Sequence, residues 1–198
     1  MFTCKVNEHI TIRLLEPNDA ERLAELIIQN QQRLSQWLFW AVDPSSADTY
    51  RETIIPEWRH QYADLTGIEA GLLYDGSLCG MISLHNLDQV NRKAEIGYWI
   101  AKEFEGKGII TAACRKLITY AFEEFELNRV AICAAVGNEK SRAVPERLGF
   151  LEEGRARDGL YVNGMHHDLV YYSLLKREWE AKNKEHTFLF KSSPDVEK

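Results

Sequence analysis

Glu105-Gly106-Lys107-Gly108-Ile109-Ile110-Thr111 is the stretch of this 198-residue chain whose residue types most directly promise chemistry. A glycine-rich turn that opens a helix presents unpaired backbone N–H groups at the positive end of the helix dipole, and these hold phosphate without side chains. Lys107 adds charge to the loop. The stretch is not a P-loop, because G-x-x-x-x-G-K-[ST] occurs nowhere in the chain, nor a dinucleotide fingerprint, which would need glycine where Thr111 stands. A second constellation runs from Asn138 through Ser141 and Pro145 to Leu148-Gly149-Phe150. Asn138 reads as an N-cap with Ser141 one turn in, and Pro145 has no N–H to offer the carbonyl of Ser141, which leaves a free acceptor there.

Other polar clusters point away from metal and thiol chemistry. His166-His167-Asp168 superficially suggests a ligand set, but adjacent residues of a strand face opposite ways and no third ligand stands at helical spacing. Cys4, Cys79, Cys114 and Cys133 form no C-x-x-C pair and read as reduced small hydrophobes of a cytoplasmic protein.

The elements that must position these residues follow from periodicity and turn chemistry. HITIRLL (9–15) alternates as a strand, and Pro17 suits the first position of a helix carrying Leu23, Ala24, Ile27 and Ile28. Ser45 or Ser46 can cap a second helix that Pro56 should kink. Asp75-Gly76 and Asn163-Gly164 are two-residue hairpin signals, the latter between GLYV and MHHDLVYYSLL. KAEIGYWIA is a further strand, residues 110–125 carry apolar side chains at helical spacing, and RVAICAAV reads as a strand buried on both faces. A short helix then stops at Gly149. The resulting fold class is α+β, a single mixed, mostly antiparallel twisted sheet of about seven strands flanked by about four helices. Residues 1–180 form one domain, and 181–198 read as a polar C-terminal tail, either disordered or foreign to the native chain.

Composition narrows the function classes. Hydrophobic residues make up 45% and charged ones 27%, ordinary globular proportions, and the net charge of -6 would repel a polyanion. Direct nucleic-acid binding is therefore not expected. No apolar run reaches membrane-span or signal-peptide length, so a soluble chain without membrane association is expected. Charge is distributed unevenly. Residues 102–116 hold four basic and two acidic side chains and 138–147 three and two, a small positive island on an acidic body suited to attracting a cationic amine.

Taken together, AEIGYWI, the E-G-K-G loop, the N-E-K-S…R-L-G-F segment and the closing Asn163-Gly164 hairpin with Asp168 resemble the GNAT superfamily of N-acetyltransferases. Their order is similar to that of its Rim-type branch of ribosomal-protein N-terminal acetyltransferases, over residues 8 to 180 or so. The superfamily writes its acetyl-coenzyme A loop Q/R-x-x-G-x-G/A. Here Glu105 replaces the Gln or Arg and Ile110 the small last residue, while the backbone N–H groups remain.

The resemblance implies an acyl-CoA N-acyltransferase fold and an enzyme that moves the acetyl group of acetyl-coenzyme A, used as co-substrate without metal, onto a primary amine. The favoured acceptor is the N-terminal α-amine of a ribosomal protein, attacked directly in a ternary complex. It further implies a pantetheine arm lying as an extra strand between KAEIGYWIA and RVAICAAV, beside Tyr98, Trp99 and Ile100, with phosphates on residues 105–111. Glu95 becomes the base that frees the amine, through a water. Ser141 becomes the donor to the departing thiolate and Asn138 a holder of the cofactor arm, with Tyr161, Tyr171 or Tyr172 as alternative acids. Trp37, Phe39 and Trp40 stand where the branch has an aromatic segment beside the acceptor tunnel, and His85 falls near the acceptor. A small cationic amine such as a polyamine or aminoglycoside, or a non-catalytic acyl-CoA-binding module, is the competing function, and a homo-oligomer is left open.

Overall fold

The computed structural model describes residues 2–191, with side chains up to 183. Met1 and residues 192–198, the end of the segment read as a tail, lie outside the described residues. Eight strands form one sheet among the described residues: β1 Thr3–Lys5, β2 Ile10–Leu14, β3 Ile68–Tyr74, β4 Ser77–Asp88, β5 Lys93–Ile100, β6 Arg129–Ala135, β7 Leu151–Val162 and β8 Met165–Leu175, in the spatial order β1-β2-β3-β4-β5-β6-β8-β7. All neighbours are antiparallel except β5 and β6. The strand count thus exceeds the expected seven by β1, whose three residues are too few to show a period. β7 also starts eight residues before the expected GLYV, because its first eight residues, LEEGRARD, form an exposed edge strand rich in charge, a composition that protects an edge but hides a strand.

Six α-helical segments, against about four expected, accompany the sheet among the described residues: α1 Ala20–Leu34, α2 Ala47–Thr49, α3 Ile55–Ala63, α4 Ile109–Glu123, α5 Glu139–Leu148 and α6 Lys176–Lys191. α2 passes into α3 through a π-helical turn, Tyr50–Ile54. Pro56 explains it: lacking an N–H and crowding the carbonyl four residues back, it is accommodated where the helix is locally widened rather than sharply kinked. α6 carries helix into the segment read as a tail, and Lys182 Nζ donates to the carbonyl of Gly149 at 2.7 Å.

Strand alternation sends side chains to two cores. Ala94 and Ile96 of β5 and Val130 and Ile132 of β6 meet Ile109, Ala113, Leu117 and Phe122 of α4 on one face. Trp99 of β5 and Met81 of β4 meet Leu23, Ile27 and Leu34 of α1 on the other. The sheet is therefore sandwiched, and its two faces deliver different residues to the same point, the seam between β5 and β6.

That seam is incomplete. Parallel pairing joins Lys93, Ala94 and Glu95 to Arg129, Val130 and Ala131, and stops. β5 nevertheless continues on β4 as far as Ile100, and β6 continues on β8 as far as Ala135. The two strands diverge from residue 96 onward and leave a V-shaped slot in the middle of the sheet.

Candidate active site

The wide end of the slot is closed by the loop from Lys102 to Gly108. Gly106 (φ 77°) and Gly108 (φ 73°) both occupy the left-handed region, and Gly108 is the N-cap of α4. No side chain caps this helix. A Cβ on either glycine would meet nothing within 4 Å, so open space lies directly above two backbone turns at an uncapped helix N-terminus. This is the geometry that accepts a phosphate. Ile110 packs against the core beneath, which explains why a large residue is tolerated in this loop. Arg147 of α5 donates to Thr111 Oγ1 at 2.9 Å and sets a guanidinium at the rim.

Lys107 and Glu105 behave differently from the sequence-based expectation. The Lys107 ammonium lies 4.8 Å from the ring centre of Tyr74 and 5.1 Å from that of Phe104, held by cation–π attraction. Glu105 accepts from Arg33 Nη1 at 3.0 Å and from Lys140 Nζ at 2.6 Å, so it braces α1 to α5 across the loop. Replacing its charge would leave two cations uncompensated beside the glycine loop. We expect Glu105→Gln to tighten coenzyme A binding about threefold by calorimetry in dilute buffer, a gain that vanishes in about 0.5 M salt, where exposed charges are screened.

Asn30 and Arg33 of α1 were not legible as site residues. Asn30 is buried, donates to Leu26 O at 2.9 Å and accepts from Lys102 N at 2.9 Å. Arg33 Nη2 donates to the carbonyl of Ile100, the last residue of β5. Together they hold the strand exit open. The available signal was a polar residue at position 30 on the apolar face of α1.

Along the slot, Tyr98, Trp99 and Ile100 take alternate faces. Trp99 is buried against the half-buried Trp40, ring centres 6.1 Å apart. Tyr98 turns toward α5, where its hydroxyl donates to Ser141 O at 2.9 Å, while Ser141 Oγ lies 3.5 Å from the Tyr98 oxygen. Asn138 caps α5 by accepting from Ser141 N at 3.2 Å.

At the narrow end, on the α1 face, stand Glu95 and His85. Glu95 Oε2 lies 3.9 Å from His85 Nε2 and 3.8 Å from Cys133 Sγ, and His85 Nδ1 is 3.0 Å from Ser83 Oγ. Gly97 makes room for this cluster, since a Cβ there would come within 2.8 Å of Ser83 Oγ and 3.0 Å of His85 Cε1. Burial lowers the His85 pKa more than the Glu95 charge raises it, so the imidazole is neutral near pH 7. Burial, reinforced by Glu95, pushes the Cys133 thiol up to about 12 and keeps it protonated. Ser83 and Cys133 join the site through strand pairing, which their sequence positions do not announce.

Glu69 of β3 stands opposite Ser83 on the same face. Burial raises its pKa to about 7. A carboxyl whose folded-state pKa exceeds its unfolded value holds its proton more tightly when folded, so it favours the fold at low pH and loses that contribution as pH rises through 7. Glu69→Gln should therefore raise the thermal midpoint at pH 8 and leave it unchanged at pH 4, as calorimetric scans would show.

The remaining candidates scatter. Trp37 packs toward Gly137 and meets the His167 ring edge-on at 5.7 Å, Trp40 belongs to the core, and Phe39 is 70% exposed. Of the alternative acids, Tyr161 is exposed and Tyr172 is committed, donating to Glu146 Oε1 while accepting from Arg142 Nε, each at 3.0 Å. Tyr171 lies on the Glu95 face, where burial and the charges near Cys133 and Glu95 raise its pKa. His166 packs against Tyr161 with the rings tilted while His167 meets Trp37, so the two imidazoles diverge as strand neighbours must.

A parallel pair that splays in mid-sheet, with an uncapped glycine loop at its wide end, defines an acyl-CoA-dependent acetyltransferase, and the chain belongs to the acetyltransferase (GNAT) domain family, whose profile matches residues 9–151. It is 92% identical to the Bacillus subtilis protein named "Putative ribosomal N-acetyltransferase YdaF" over 182 residues, 92% of this chain and 100% of that one. It is 30% identical to the ribosomal-protein-serine acetyltransferase of Escherichia coli over 174 residues, 86% of this chain and 95% of that protein. Among solved structures, the microcin C7 self-immunity acetyltransferase MccE in complex with acetyl-CoA and AMP superposes with a TM-score of 0.82 at 30% identity, covering 86% of this chain and 94% of that one.

Proposed function

We propose that this acetyltransferase transfers an acetyl group from acetyl-coenzyme A to the N-terminal α-amine of a ribosomal protein in the cytoplasm, by direct attack within a ternary complex. The observation that carries the reading is the slot between β5 and β6, with the glycine loop at one end and Glu95 at the other. One relative is named a ribosomal-protein-serine acetyltransferase and another a ribosomal N-acetyltransferase, and these names support the reading.

Acetyl-coenzyme A, when bound, supplies an acetyl group activated as a thioester. The residues that would hold it are Gly106 to Thr111 at the phosphates, Asn138 and Ser141 on the α5 wall, and the β5 backbone from Tyr98 to Ile100. The open space over Gly106 and Gly108 and the unpaired edge of β5 fit such a molecule.

The chain's own residues then manage two protons. An α-amine, with pKa near ~8, is mostly protonated at neutral pH and must lose a proton to attack. Glu95 accepts it, directly or through one water, in a cluster where His85 is neutral and does not compete as a cation. Ser141 Oγ offers a hydrogen bond at the opposite wall, where a thiolate, with a thiol pKa near ~8.5, has to depart. An α-amine suits this machinery better than a lysine side chain, whose pKa near ~10 leaves about a hundredfold less free amine at pH 7.

Release of free thiol from acetyl-coenzyme A, measured against peptides beginning with Ser or Ala and against polyamines and aminoglycosides, tests the reading. Turnover is expected with the peptides. Turnover with polyamines alone favours the small-amine function, and coenzyme A binding with no turnover favours a binding module.

A further inference from the structure

In the first turn of α5, the backbone carbonyl of Ser141 is held from outside the helix. In a regular helix its carbonyl would accept from the N–H of residue 145, but residue 145 is proline and has none. Tyr98, reaching over from β5, fills the vacancy with its hydroxyl at 2.9 Å. The Ser141 N–H is taken by Asn138 Oδ1 at 3.2 Å. Both backbone groups of Ser141 are thus fixed, one by the cap and one by the opposite wall of the slot, and only its hydroxyl is left to act.

We infer that Tyr98 and Pro145 form a device that aims the Ser141 hydroxyl into the slot, with Tyr98 a positioning residue for departure of the coenzyme A thiol rather than a proton donor itself. This rests on the role proposed for Ser141 above. Pro145 removes the intrahelical donor, which hands the Ser141 carbonyl to Tyr98. The bond ties the first turn of α5 to the strand lining the other side of the slot, so Ser141 follows β5 and not α5 alone.

The hydroxyl geometry fits the same role. A tyrosine has one O–H, and that of Tyr98 is spent on the carbonyl, so toward Ser141 its oxygen can only accept. Ser141 Oγ donates to it across 3.5 Å, at the outer limit of a hydrogen bond, so this contact is weak and the proton is exchanged for a stronger acceptor at little cost. Burial also raises the Tyr98 pKa, which makes it a poor acid near neutrality. Arg142, the next residue, is held by Tyr172 Oη at 3.0 Å and donates to Val136 O at 3.2 Å, which keeps the turn from rotating.

The test combines Tyr98→Phe, Ser141→Ala and Pro145→Ala. Tyr98→Phe is expected to lower kcat about tenfold, the order of loss that misplacing a reacting group brings, with KM for acetyl-coenzyme A changed by less than about threefold. In a Ser141→Ala background it should cost nothing further, because Tyr98 acts through Ser141. A readout independent of turnover is thermal unfolding of the cofactor-free protein. Tyr98→Phe should lower the midpoint, and adding Pro145→Ala should restore it by returning an N–H to the Ser141 carbonyl. If Tyr98→Phe alone fails to fold, the Tyr98→Phe/Pro145→Ala protein carries the kinetic comparison. Losses that multiply in the Tyr98/Ser141 pair, an unchanged kcat in Tyr98→Phe, or a midpoint that Pro145→Ala does not restore would each overturn the inference while leaving the acetyl-transfer reading intact. An unchanged kcat in Ser141→Ala overturns both it and the donor role of Ser141.

Discussion

Glu95→Gln should lower kcat by about a hundredfold or more while leaving KM for acetyl-coenzyme A within about twofold, because the amide keeps the shape of the side chain and removes its capacity to take a proton. The carboxylate sits at the narrow end of the slot, with His85 Nε2 at 3.9 Å and Cys133 Sγ at 3.8 Å, and the glycine loop lies beyond the far end of β5. The proposed base and the proposed phosphate site are therefore separable in a kinetic experiment. The residual rate of the variant should climb about tenfold per pH unit up to about pH 8, following the free α-amine of the acceptor. A peptide assay from pH 6 to 9 measures both effects, and a variant that kept its kcat would remove Glu95 from the mechanism.

Gly108→Asp should have the largest effect on binding. Gly108 sits at φ 73°, a conformation that aspartate and asparagine tolerate better than other side chains, so the loop has a means of keeping its shape. The new carboxylate would project into the open space at the N-terminus of α4 and meet the phosphates there. Coenzyme A affinity measured by calorimetry should fall about a hundredfold in Gly108→Asp and much less in Gly108→Asn, the difference isolating charge from bulk. Equal losses in the two variants would mean that the loop tolerates no side chain and that electrostatics is secondary.

The sequence announced those parts of the fold and site that depend on neighbours along the chain. Asp75-Gly76 and Asn163-Gly164 turn hairpins with all four residues at positive φ. Asn138 caps α5, Gly149 ends it in the left-handed region, and the acceptor freed by Pro145 is there, occupied by Tyr98. Features that depend on strand pairing were not announced. Cys133 reaches Glu95 because β6 lies beside β5, and Glu69 stands opposite Ser83 because β3 lies beside β4. The partners of Glu105 lie 72 and 35 residues away, so a carboxylate that breaks the family pattern reads in isolation as a lost contact and in the structure as a brace. The aromatic segment divided for a similar reason: exposure of Phe39 and half-burial of Trp40 depend on where the short turn Phe39–Ala41 docks, which periodicity cannot give over three residues.

The site of acetylation distinguishes transfer to an α-amine from transfer to any other nitrogen. A peptide with a serine N-terminus and an internal lysine, incubated with the protein and acetyl-coenzyme A and then fragmented in a mass spectrometer, reports which nitrogen is acetylated. The slot, with Glu95 at its narrow end, predicts a single acetyl group on the terminal serine nitrogen and release of one thiol for each product formed. Acetylation of the lysine alone, or an unmodified peptide beside rapid thiol release with a polyamine, would contradict it.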